Sequence, residues 1–187
     1  MKGTIMIDKY PILKNHLTTL RKTSKDKNHK DNIDFMTQSH LSVINFDAVA
    51  REYAKIHHLK VLPTSNDAVF IDCDKFIFIE FKNGIMSKEE RIKLKEKIYD
   101  SVLMLLDILD QKINYSREHI QYILVYNSEK NSRVSIGKAI AKMAGEHFVE
   151  LGLDKFKGFC AQDVYTYTKE EFEREFVNVH EPKSIIK

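Results

Sequence analysis

The chain is expected to be an α/β protein with a mixed central sheet flanked by helices. Two β-rich runs, residues 68–71 and 76–82, meet at a short polar turn and read as a hairpin. Stretches with helical apolar spacing lie on both sides of it. Further β-rich runs at 121–126 and 164–167 alternate with helical segments, the pattern of a sheet packed against helices.

A chain of 187 residues, 43% apolar and 30% charged, predicts one domain with a real core and argues against wholesale disorder. No run approaches the roughly 18 consecutive apolar residues of a membrane-spanning helix. The N-terminus shows no long apolar core before a cleavage site, so a cytoplasmic protein without membrane contact is expected. A net charge of +3 is too small to argue for nucleic acid by bulk charge. Two cysteines without a CxxC pair fit a reducing compartment and disfavour structural zinc. The six glycines form neither GxGxxG nor GxxxxGK[ST], which excludes kinase, P-loop and dinucleotide readings.

Residues 1–40 read as an N-terminal segment in which a short apolar patch gives way, from Arg21 to Asn32, to a solvated and mobile polar loop. Asp26 and Asp31 interrupt its positive charge. Residues 41–180 form the single α/β domain, and 181–187 a frayed end. Within the domain, Phe46, Val49, Ala50, Tyr53, Ile56 and His57 share one face of a helix over 46–58, with Asn45 as its N-cap. Glu52 lies at the edge of that stripe, as a rim charge or a group aimed into a cleft. A short strand is expected at 60–62, ended by Pro63. After the hairpin, Ser87 and Glu90 have capping-box spacing and open a helix over 88–111 whose apolar second half must be buried. A strand at 121–126, a helix at 135–151 and a strand at 164–167 follow. Thr168 and Glu171 repeat the capping box before a last helix carrying Phe172 and Phe176.

The hairpin carries the chemistry. Alternation puts Phe76, Phe78, Glu80 and Lys82 on one face of the second strand and Ile77, Ile79 and Phe81 on the other, so both faces are apolar for most of its length. A turn centred on Cys73-Asp74 pairs Asp72 with Lys75 and, by the same constant sum, Asp67 with Glu80. Opposed β-carbons in such a ladder are about 4.5–5.5 Å apart, so the two carboxylates repel unless a cation or a proton lies between them. A divalent metal would satisfy them, and Mg²⁺ takes one or two carboxylates together with waters and phosphate oxygens. Lys82 would then set a positive charge beside the attacking water and the scissile phosphate. Read without function, the same three residues are the frayed end of a hairpin in which Lys82 neutralises the acids.

With Asp67 upstream of Glu80-Phe81-Lys82, the chain resembles the PD-(D/E)XK nuclease superfamily over residues 45–127, in motif and in element order. The resemblance implies an α-β-β-β-α-β restriction-endonuclease-like core and a Mg²⁺-dependent nuclease, Mn²⁺ substituting, that hydrolyses phosphodiester bonds of nucleic acid, with DNA the first expectation and RNA left open. It implies Asp67 and Glu80 as metal ligands, Lys82 as the residue orienting or activating water, and Glu52 as a further acidic ligand from the first helix. Asn66, where the family pattern has Pro, is a departure. Lys93 and Lys97, near the open end of the charged face, are candidates for holding phosphate, or else belong to a solvated first turn. Asp72 and Asp74 are ordinary turn residues, the histidines lack zinc spacing, and Tyr165 and Tyr167 read as strand packing rather than base-stacking platforms. The alternative function is a catalytically inactive nuclease-fold protein that binds nucleic acid or serves as an immunity or regulatory module, with a homodimer or a protein partner compatible with either reading.

Overall fold

The computed structural model describes residues 7–25, 34–131 and 149–181. Six strands form one mixed sheet in chain order: β1 (Leu17–Thr19), β2 (Ser42–Asn45), β3 (Ala68–Asp72), β4 (Lys75–Lys82), β5 (Ile120–Tyr126) and β6 (Asp163–Thr168). The first four are antiparallel neighbours, whereas β4, β5 and β6 run parallel. Short helices α1 (Pro11–Lys14) and α2 (Leu20–Thr23) flank β1, and α3 (Phe46–Ile56) follows β2. The long α4 (Lys88–Ile108) and the short α5 (Ile113–His119) link β4 to β5, and α6 (Lys169–Phe172) follows β6. No helix among the described residues is long and apolar enough to cross a membrane.

The hairpin has the register expected from its turn, with Asp72 opposite Lys75 and Ile71 opposite Phe76. Cys73, at the turn, takes a positive φ of 52°. Both faces of β4 are covered. Phe76 and Phe78 face Phe46, Val49 and Ala50 of α3 and Leu94, Ile98 and Leu105 of α4, all within one core cluster. Phe46 meets Phe78 edge-on, with ring centroids 5.0 Å apart, the arrangement aromatic quadrupoles prefer. On the opposite face, Ile77, Ile79, Ile123 and Val125 pack with Leu20, Met36 and Leu41 from the N-terminal part, Phe172 of α6, and Phe176 and Val177 from the π-helical turn Glu173–Val177 that follows it.

The expected caps are present. Asn45 accepts from the Ala48 amide, and Thr168 and Glu171 form the full reciprocal capping box. Ser87 accepts from the Glu90 amide, but the Glu90 side chain does not return to the cap, because it is drawn toward Lys82 and Lys93.

Two expectations fail, one about element order and one about the polar loop. Residues 60–62 form no strand: Lys60, Val61 and Leu62 are exposed, and the edge of β3 that such a strand would need is taken by β2, through Ile44–Val69 and Asn45–Ala68. Among the described residues from 42 the order of strands and α-helices is therefore β-α-β-β-α-α-β-β up to β6, with the third antiparallel strand before the first helix rather than after it. Part of the Arg21–Asn32 stretch is also ordered: Arg21 and Thr23 lie in α2, Ser24 is buried, and Lys25 bridges to Phe35. Residues 26–33, the bulk of the helix expected at 135–151 and residues 182–187 lie outside the described part.

Candidate functional site

A cleft of about 370 Å³ opens at the carboxyl end of β4, where the sheet changes from antiparallel to parallel pairing. Crevices beyond strand carboxyl ends are the usual ligand sites of open α/β sheets. Asp67, Glu80, Lys82, Glu90 and Lys97 line it, with the Asn83–Met86 turn on one side and Thr23, Ser24 and Lys25 on another.

Asp67 is fixed by its neighbours. Its Oδ2 accepts from the Phe81 amide at 2.7 Å, so a side chain takes over where the main-chain ladder ends at Ala68–Ile79. Its own carbonyl accepts from the Phe46 amide. Upstream, the Asn66 amide donates to Ser101 Oγ at 2.9 Å, and Thr64 donates to Asp100 through both amide and hydroxyl, tying this segment to α4. Glu80 is fully buried, one pleat beyond Phe78 on the helix-covered face.

The charge between these acids is supplied by α4. Lys97 Nζ lies 2.7 Å from Glu80 Oε1 and 3.9 Å from Asp67 Oδ1. Lys82 Nζ stands 3.3 Å from the same Glu80 oxygen and 3.3 Å from Glu90 Oε2, while Lys93 holds the other Glu90 oxygen at 3.1 Å. Glu80 Oε2 is buried without a hydrogen-bond partner among the described residues, and so is the hydroxyl of Tyr122 on the neighbouring strand. An unpaired buried acceptor is costly, so this oxygen marks where a further donor or cation is wanted.

The ionisation of the groups follows from this crowding. Burial, followed by the charge of Glu80, pushes the Asp67 carboxyl up to about 8, against the opposing pull of Lys97 and the Phe81 amide. Burial works against the charged form of Lys97, but Glu80 and Asp67 overcome it and hold the amine above its usual range. The Lys93 hydrogen bond and the Lys82 charge keep Glu90 low despite partial burial. Tyr122 is held well above the usual phenol range by burial and by the nearby Glu80 and Asp67 charges.

The structure thus brings Asp67, Glu80, Lys82 and Lys97 into one cleft. Lys93 is mostly exposed and reaches the site only through Glu90. Glu52 does not join them: its carboxylate lies 2.6 Å from His16 Nε2, in a separate depression with Arg51, Lys55 and Leu62. While Phe46, Val49 and Ala50 face the core, Glu52 lies on the flank of α3 beside the segment that precedes β1, and no ligand role shared with Asp67 and Glu80 is available to it there. Among the described residues, no three His, Cys, Asp or Glu side chains gather as a metal-holding group.

Glu90 and Tyr122 are members of the site that the sequence reading did not single out. Glu90 shares a helical stripe with Leu94, Lys97 and Ser101, at intervals of four, three and four, and that periodicity pointed it toward the sheet. Tyr122 gave no signal beyond its place in an apolar run. Comparison with models of protein families, with curated proteins and with solved structures returned no match.

Proposed function

We propose that this chain is a Mg²⁺-dependent nuclease of the PD-(D/E)XK kind, acting on phosphodiester bonds of DNA or RNA. One observation carries the reading: Asp67 and Glu80 meet at a strand-end cleft beside Lys82, and Glu80 keeps one buried oxygen without a partner among the described residues. Two carboxylates, one of them half-satisfied, suit a hard cation that retains most of its waters. Asp67 and Glu80 would hold it, and when bound it would supply a Lewis acid for the phosphoryl oxygen and a more acidic water.

The chain's own residues have definable tasks. The Phe81 amide and the 64–67 segment hold Asp67 still, so the acidic pair is preorganised. Lys82, anchored between Glu80 and Glu90, keeps its ammonium at the cleft wall, where it orients water and faces charge developing on phosphate. Lys25 lines the same cleft and offers a phosphate contact. Burial of Glu80 keeps bulk water off one side of the pair.

A second reading has a specific observation behind it. Lys82 and Lys97 already balance the two acids, an arrangement consistent with a nuclease-fold protein that binds nucleic acid without cutting it. Plasmid, single-stranded DNA and RNA incubated with Mg²⁺ or Mn²⁺ against EDTA separate the two. Metal-dependent cutting that is lost in Glu80→Gln and Lys82→Ala is the expected result. Salt-sensitive binding without cutting selects the second reading, and neither cutting nor binding refutes both.

A further inference from the structure

We propose that the Lys97 ammonium is the site's resident cation, holding the place beside Glu80 and Asp67 that a divalent ion needs, and that it must swing out before such an ion enters. The inference rests on the metal-binding reading above and deepens it. Lys97 is hydrogen-bonded to Glu80 and within ion-pair distance of Asp67, whereas Lys82 shares itself between Glu80 and Glu90. Among the described residues, Lys97 alone bridges the two acids. The Asp67 backbone and carboxylate are pinned by the Phe46 and Phe81 amides, so the acids cannot relieve their repulsion by drifting apart. A cation or a proton is therefore needed between them, and when a divalent ion takes that place the resident ammonium must leave it.

Lys97 is built for such an exchange. Its ammonium sits on a flexible four-carbon stem, about a fifth of the side chain is exposed, and it lines the open cleft. Lys82 stays behind, held by Glu90. Two consequences follow. The metal-free protein is not left with a bare acidic pair, and metal affinity is lowered by the competition. The displaced amine is delivered to the cleft beside Lys82, where two ammonium groups face an incoming phosphate.

The test is Mn²⁺ binding to the full chain, counted from the paramagnetic resonance signal of free Mn²⁺, in wild type, Lys97→Met and Lys82→Met. Lys97→Met is expected to bind about tenfold tighter or better, within the range of typical coupling between competing ligands, and Lys82→Met to gain much less. Equal gains in both variants would mean that net charge alone matters, and would overturn the inference. Equal affinity in wild type and Lys97→Met overturns the inference while leaving the metal site standing. Absence of Mn²⁺ binding in all three removes both. Should Lys97→Met fail to fold, ¹⁵N spectra of lysine ammonium groups in wild type decide the matter, with Lys97→Arg giving the assignment. The Lys97 signal, protected by its Glu80 hydrogen bond, is expected to lose that protection as Mg²⁺ is added. Its persistence while the Glu80 and Phe81 amides shift overturns the proposal.

Discussion

Replacing Asp67 by Asn should stabilise the protein at mildly alkaline pH, although the residue lies at the centre of the candidate site. The folded protein holds the Asp67 carboxyl near 8, against an ordinary value of 3.8. Between those values the folded state keeps a proton that the unfolded chain has released, so stability falls as pH rises from about 4 to about 8. Four pH units at about 1.36 kcal/mol each set a ceiling of roughly 5–6 kcal/mol. Asp67 retains about a fifth of its side-chain exposure, and solvent screening reduces the ceiling, so a loss of about 1–3 kcal/mol is expected. The side-chain amide introduced by Asp67→Asn keeps an oxygen for the Phe81 N–H and carries no charge to repel Glu80. Glu90, held low, contributes stability that is fully present above its ordinary value of 4.5 and is lost only as pH falls below it, so it does not mask the effect. Urea titrations followed by far-ultraviolet circular dichroism at pH 5, 6, 7 and 8, without divalent metal, measure it. Wild type should lose stability across the series while Asp67→Asn stays nearly flat and ends the more stable of the two at pH 8. Parallel slopes for the two proteins, or a less stable variant at pH 8, would refute the argument that burial and the Glu80 charge hold the Asp67 carboxyl up.

Other expectations follow from named contacts. Glu52→Gln should leave Mn²⁺ binding at the wild-type level, because its partner is His16; a loss comparable to that in Glu80→Gln would return Glu52 to the ligand set. Phe78→Ala, which empties a fully buried position against Phe46, should cost about 3–5 kcal/mol in urea unfolding, and a cost below about 1 kcal/mol would contradict the packing described. Thr168→Ala breaks a complete capping box and should cost about 1 kcal/mol. Ser87→Ala removes only one arm and should cost less, so the reverse order would show that Glu90 supports the cap after all.

The sequence made some of this fold readable and concealed the rest for identifiable reasons. A two-residue turn and a period of two fix the hairpin register, so the approach of Asp67 to Glu80 could be worked out from spacing alone. The apolar character of both faces of β4 likewise announced a strand inside a covered sheet. β1 and β2, of three and four residues, are too short to display alternation, and they went unseen. Val61 and Leu62 have strand-forming chemistry, but the β3 edge they would join is taken by β2, since pairing is a tertiary fact that local propensity does not contain.

The charges show the same division. Two acids facing each other across a ladder announce from sequence that a cation is needed, and spacing along α4 places Lys97 on the sheet-facing stripe. That its amine, 17 positions from Glu80 in the chain, takes one oxygen of that carboxylate and leaves the other bare depends on how α4 lies over the sheet. Helical phase put Glu52 at the border of an apolar face, but which neighbour it meets there was settled by a separate segment, the one carrying His16. Sequence patterns therefore indicate where charge must be compensated, and tertiary packing selects the group that does it. In this chain the selected group is the Lys97 amine, carried on a flexible stem from α4 to within 2.7 Å of Glu80 and 3.9 Å of Asp67.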